Sequence, residues 1–155
     1  MRLEYFQLID RIVDLNLADR SISCEAVVPA ENTIFEGHFP GFPLMPGVLL
    51  VETMAQTSGW LVVASHRFTR MAFLAQVKDA KFRTFVTPGQ TLAVNAKLVH
   101  EGSGYAVTSA KITMGGKPVC DATLTLRILD FPNTEVSEKM REMAARVGFP
   151  SEVAV

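Results

Sequence analysis

His38 sits in the stretch GHFPGFPLMPG, Gly37 to Gly47, where three prolines and three glycines crowd eleven residues. Glu52 follows 14 residues later inside PGVLLVETMAQTSGWLVVA, with Gln56 four residues beyond it. Histidine takes up a proton near neutral pH. Proline and glycine restrict or bend the backbone around it, which is one way to preorganise a base. No lysine or arginine occurs from Pro46 to Ser65. In a buried helix Glu52 then has no local cation, and burial favours the protonated acid, the form able to donate. Gln56 lies on the same face at i+4 and can orient that carboxyl. A helix starting near Pro46 leaves the N–H groups of Gly47 and Val48 free to face the His38 loop, a place for a developing oxyanion. Base, acid and oxyanion donors then converge on one short region. Such a set suits β-elimination of water from a 3-hydroxyacyl thioester. The donors polarise the carbonyl, His38 removes the α-proton, and Glu52 protonates the departing hydroxyl. The reaction needs no metal and no organic cofactor, and no metal-ligand or dinucleotide motif is evident. Plainer readings stand beside each residue: a loop histidine bonded to backbone, or a structural acid satisfied by a distant arginine. His66, just after the helix, and His100, at a strand end beside Glu101, receive no role.

These residues need elements to hold them. The segment from about Pro46 to Ser65 predicts a helix, with proline suited to its first turn. Apolar residues occur nearly all round it, from Val48 to Val63, so it is buried on most sides. YFQLIDRIVDL reads as a short helix running into a strand, and SISCEAVVP (Ser21 to Pro29) as a strand. MAFLAQVK and AKFRTFV read as two more. TLAVNAKLVH and KPVCDATLTLRIL alternate with period two, with Leu92, Val94, Ala96, Leu98 and Cys120, Ala122, Leu124, Leu126, Ile128 inward. PGQ, GSG and GGKP supply the turns. The expectation is one long helix followed by a meander of about five strands that wraps it. A surface helix over about 134–147 closes the chain, with Thr134 as cap, a stripe of Val136, Met140, Met143 and Val147, and Gly148 then Pro150 as stop.

A chain of 155 residues, 48% hydrophobic and 20% charged, predicts a single α+β domain, 1–155, with a full core. Fifteen basic against 16 acidic residues give no global reason to expect nucleic acid or an anionic membrane as partner. Leu44 to Ala64 matches a membrane span in length, but Glu52 in its middle would be costly there, so a core helix and no membrane span is the reading. The N-terminal MRLEYFQLIDRIVDL carries early acids and does not read as a signal peptide. Cys24 and Cys120 read as buried free thiols, consistent with a reducing cytoplasm.

FEGHFPGFPLMPGVLLVETMAQTSG closely resembles the signature of the 3-hydroxyacyl-[acyl-carrier-protein] dehydratases of bacterial fatty acid synthesis. The likeness extends more weakly to LIDRIV (Leu8 to Val13) and AKFRTFVTPGQTL (Ala80 to Leu92), covering roughly residues 5–129. The resemblance implies a hot-dog fold, with the helix as sausage and the sheet as bun. It implies His38 and Glu52 as the catalytic pair, the Gly47 N–H as carbonyl donor, and Gln56 as the acid's support. It implies a homodimer in which His38 of one subunit faces Glu52 of the other, and allows a trimer of dimers. A glutamate at position 52 resembles the broad-specificity branch rather than the one that also isomerises the double bond. The implied partner is an acyl carrier protein presenting a phosphopantetheine-linked 3-hydroxyacyl group, for fatty acid or specialised lipid synthesis. Lys78, Lys81, Arg83, Arg67 and Arg70 can form a basic mouth for it, or an ordinary solvated surface. Phe39, Met54 and Trp60 can line an acyl tunnel or simply pack the core. Gln90 and Phe42 depart from the usual pattern, and the helix from Thr134 onward has no counterpart in it.

Two other functions compete. A hot-dog thioesterase would activate water with an acid and release free acid and thiol. A silent acyl-binding or scaffold module would have no need of His38, Glu52 and Gln56 together.

Overall fold

The computed structural model describes residues 1–153. After a 3-10 turn at Leu3–Tyr5, the chain runs β1 (Arg11–Asn16), β2 (Ser21–Val27), α1 (Thr33–Gly37), α2 (Gly47–Ser65), β3 (Arg70–Phe82), β4 (Thr91–Gly102), β5 (Tyr105–Met114), β6 (Lys117–Asp130) and α3 (Thr134–Arg146). The strands form one antiparallel sheet in the order β1-β2-β4-β5-β6-β3. The sheet curls around α2, which packs against β2 through β6. This is the sausage-and-bun arrangement the resemblance implied.

Contact on most sides explains the composition of α2. Leu50, Met54, Leu61, Val62 and Val63 are buried, and within the helix only Val48 in its first turn and Ser65 at its last residue are exposed. Its length and apolarity would suffice to cross a membrane, but here the sheet covers it. Polar side chains buried with it are paired. Thr53 and Thr57 bond back to carbonyls four residues earlier, and Ser58 Oγ meets Thr108 Oγ1 at 2.8 Å. The inward sets read from period two hold. Leu92, Val94, Ala96 and Leu98 of β4 are buried, as are Cys120, Ala122, Leu124 and Leu126 of β6, with Ile128 half-buried.

Three local expectations fail. MAFLAQVK and AKFRTFV belong to one strand, β3, so four strands follow α2 rather than five. Register shifts between Leu74 and Gln76 and between Lys78 and Lys81 interrupt the pairing with β6, and Asp79 has φ 53°. Bulges let one strand bend while continuing, which a periodicity count reads as a break. The N-terminal stretch forms only the 3-10 turn before β1. The cap of α3 is Asn133, whose Oδ1 accepts from Val136 N at 2.9 Å, while Thr134 is already helical. Both residue types cap well, and the one lying just outside the first helical turn takes the role.

Candidate active site

His38 ends the short helix α1, which Asn32 caps from its N-terminal side. Its backbone N–H donates to Ile34 O at 2.9 Å and its carbonyl accepts from Leu44 N at 2.8 Å. Its ring nitrogen Nδ1 lies 2.9 Å from Leu44 O. A carbonyl can only accept, so Nδ1 carries the proton and Nε2 of the neutral ring keeps its lone pair. The proline-rich turn thus does more than stiffen the chain. It folds Leu44 back so that both its N–H and its carbonyl grip His38.

The N–H groups of Gly47 and Val48, at the start of α2, make no hydrogen bond among the described residues, as the first turn of a helix dictates. Gly47 shares with His38 a cavity of about 280 Å³, lined also by Phe39, Leu50, Phe82 and Phe85. A Cβ on Gly47 would come within 3.0 Å of the Phe82 ring. Glycine therefore admits Phe82 against the helix end.

Glu52 and Gln56 face elsewhere. Gln56 Nε2 donates to Glu52 Oε1 at 3.1 Å and to Phe6 O at 2.9 Å, and its Oε1 accepts from Leu8 N at 3.0 Å. The amide is therefore held between the N-terminal segment and the carboxyl. Both side chains line a second cavity of about 220 Å³, otherwise apolar, with Trp60, Val63, Met71, Leu74, Met140 and Met143 among its walls. Glu52 is half-buried rather than enclosed.

Base and acid therefore do not converge within one chain, contrary to the reading from sequence proximity. Helical geometry gives the reason. At 3.6 residues per turn, Glu52 lies about 140° around α2 from Gly47. The five cations expected at one mouth are divided as well. Lys78, Lys81 and Arg83 lie toward the Phe82 end of β3, whereas Arg67 and Arg70 flank its start. Even Arg70 and Lys78, the nearest of them along the chain, are eight residues or about 26 Å of extended strand apart at 3.3 Å per residue. Arg83 and Arg70 are also paired, with Asp121 and Asp130. Of the tunnel candidates, Phe39 lines the His38 cavity and Trp60 the Glu52 cavity, while Met54 is core. His66 Nε2 meets Glu101 Oε1 at 2.8 Å, and His100 Nε2 meets the Tyr105 hydroxyl at 3.1 Å.

Sequence reasoning missed three contributors: Leu44, the backbone of Phe6 and Leu8, and the two methionines of α3. The first two act through main-chain atoms, which leave no residue-type signal. The methionines were legible only as a helical stripe.

Comparison with known proteins decides the kinship. A FabA-like domain is matched over residues 2–123. The 3-hydroxyacyl-[acyl-carrier-protein] dehydratase FabZ of Lactiplantibacillus plantarum is 38% identical over 118 residues, spanning 76% of this chain and 80% of that one. The chain belongs to the 3-hydroxyacyl-[acyl-carrier-protein] dehydratase family. The dehydratase FabZ of Solibacter usitatus is 35% identical over 152 residues, 97% of this dehydratase-family chain and 89% of its own. Two solved structures share the hot-dog fold. The dehydratase heterocomplex ApeI:P of Xenorhabdus doucetiae has a TM-score of 0.64 at 16% identity, covering 87% of this chain and 90% of that one. A hypothetical thioesterase with coenzyme A from Streptococcus pneumoniae has 0.61 at 22%, covering 79% and 88%. At such identities the likeness is one of fold, and it spans both chemistries.

Proposed function

We propose that this protein dehydrates (3R)-3-hydroxyacyl groups, carried on an acyl carrier protein, to trans-2-enoyl groups in fatty acid or specialised lipid synthesis. The observation that carries this is the kinship with dehydratases at 35–38% identity over most of the chain. The fold alone does not choose between a hydro-lyase and a thioesterase. His38 Nε2 removes the α-proton, the N–H groups of Gly47 and Val48 hold the thioester oxygen, and Glu52, steadied by Gln56, protonates the leaving hydroxyl.

The two half-sites of one chain complete each other in a homodimer, His38 and Gly47 of one copy facing Glu52 and Gln56 of its partner. Two features support this arrangement. The 13-residue strand β3 is a sheet edge, with unpaired backbone on its outer side. On and just after it Phe73, Leu74, Val77, Phe82 and Phe85 are exposed, large apolar side chains of the kind that association faces cover. The carrier docks near Lys78, Lys81 and Arg83, beside the His38 cavity. The cytoplasm, where acyl carriers act, is the proposed location.

Product analysis tests the reaction. Incubation with a 3-hydroxyacyl carrier protein is expected to give enoyl thioester, seen as ultraviolet absorbance and by mass spectrometry. Release of free acid and carrier thiol without enoyl product would sink the proposal in favour of a thioesterase.

A further inference from the structure

The cavity holding Glu52 continues along α2. Glu52, Ala55, Gln56, Gly59, Trp60 and Val63 line it, a run of twelve residues whose ends are about 16 Å apart at a rise of 1.5 Å per residue. Only its Glu52 end is polar. A Cβ added at Gly59 would meet nothing within 4 Å, so the groove lies open above that glycine. β3 supplies one side through Met71, Ala72 and Leu74, and α3 another through Met140 and Met143.

α3 lies beyond residue 123, where the matched domain ends. It is fixed at both ends. Phe131 before it stacks on Phe68 at 5.9 Å, and Phe149 after it meets Phe68 at 5.5 Å and Trp60 at 5.7 Å. Ala144 and Val147 are buried beneath it. The side chains it turns into the groove are unbranched and adaptable, suited to yielding to or resisting an apolar guest. We propose that α3 is a wall of the acyl site and that Met140 and Met143 determine which acyl chain lengths are accepted. This rests on the dehydratase reading, which places the reacting carbons at Glu52 and their hydrocarbon tail in the apolar remainder.

The test compares wild type, Met140→Ala combined with Met143→Ala, and Met143→Phe. kcat/KM is measured on 3-hydroxyacyl carrier substrates of four, ten and sixteen carbons, with melting curves alongside. Widening the wall is expected to raise the sixteen-to-four-carbon ratio about tenfold, and Met143→Phe to lower it by a similar factor. Trp60 is the single tryptophan and lines the groove. Its emission on titration with acyl-pantetheine thioethers of the same lengths reports occupancy without turnover, and Met143→Phe carries the test where the double variant does not fold. Ratios within twofold of wild type in the variants that fold overturn the inference. Wild-type inactivity at every length overturns the dehydratase reading instead. The wall is then judged by Trp60 alone and falls if its response to chain length is the same in all the folded proteins.

Discussion

His38 has one ring nitrogen committed to Leu44 O, which leaves the other for the proposed role of base, and Glu52 has one carboxyl oxygen held by Gln56. Neither is part of the main core, so removing the reacting group should leave the fold in place. His38→Ala and Glu52→Gln are each expected to lower turnover about 10²–10⁴-fold while circular dichroism stays that of wild type. Near-normal turnover in either variant would remove that residue from the mechanism. Gln56 is a different case, because it bonds Phe6 and Leu8 as well as the acid. Leu8 is fully buried, and its N–H would lose its partner in Gln56→Leu. An orphaned buried donor costs about 1–3 kcal/mol. We expect that variant to lose both turnover and thermal stability. A wild-type melting curve would show that the bond to Leu8 contributes nothing. Wild-type turnover would confine Gln56 to a structural part.

At the scale of elements, α2 contributes Gly47 to one proposed half-site and Glu52 and Gln56 to the other because its faces look into different cavities, and α3 lines one of them. The placement of α3 depends on its cap. Asn133→Ala should destabilise the protein by about 1 kcal/mol, seen as a lower urea midpoint, whereas Thr134→Ala should change it little. The reverse ranking would contradict the observed Asn133 Oδ1 to Val136 N bond. The stripe of α3 was legible from its spacing, as was the alternation of β4 and β6. Its cap was not, since Asn133 and Thr134 are neighbours of equal aptitude.

At the scale of the whole molecule, the separation of acid and base gives a mixing experiment. His38→Ala and Glu52→Gln, each inactive, should restore about a quarter of wild-type activity when unfolded and refolded together in equal amounts. Random pairing makes half the dimers mixed, and each mixed dimer has one intact site of two. No recovery, with mixed dimers verified by mass, would place the complete site within one chain. The thiols give a second global test. Burial pushes both Cys24 and Cys120 up to about 12, aided at Cys120 by the neighbouring Asp121 and opposed at Cys24 by a hydrogen bond with Thr57. The folded state then keeps protons that the unfolded chain releases from about pH 9 upward. The stability due to this difference is full below pH 9 and falls as pH rises toward 12, by up to about 1.4 kcal/mol per unit for each thiol. Urea midpoints of wild type should therefore drop from pH 8 to pH 10 more steeply than those of Cys24→Ala. Parallel declines would show that Cys24 ionises alike in both states.

Sequence alone determined what depends on local pattern. Period two placed the inward residues of β4 and β6. A mostly apolar segment without lysine or arginine marked α2 as the wrapped helix. The stretch from Phe35 to Gly59 marked the family, because it combines a histidine turn, a helix start and an acid with its amide. Tertiary structure alone decided what depends on direction and on main-chain atoms. Glu52 lies on the far side of α2 from Gly47, which proximity in sequence conceals. Leu44 grips His38, and Leu8 and Phe6 grip Gln56, through N–H and carbonyl groups that every residue type possesses. Two strand readings merged into β3 because a bulge carries one strand through a bend. The stripe on α3 named the residues that turn inward, but only packing against Trp60 and Phe68 set them in the wall of the Glu52 groove.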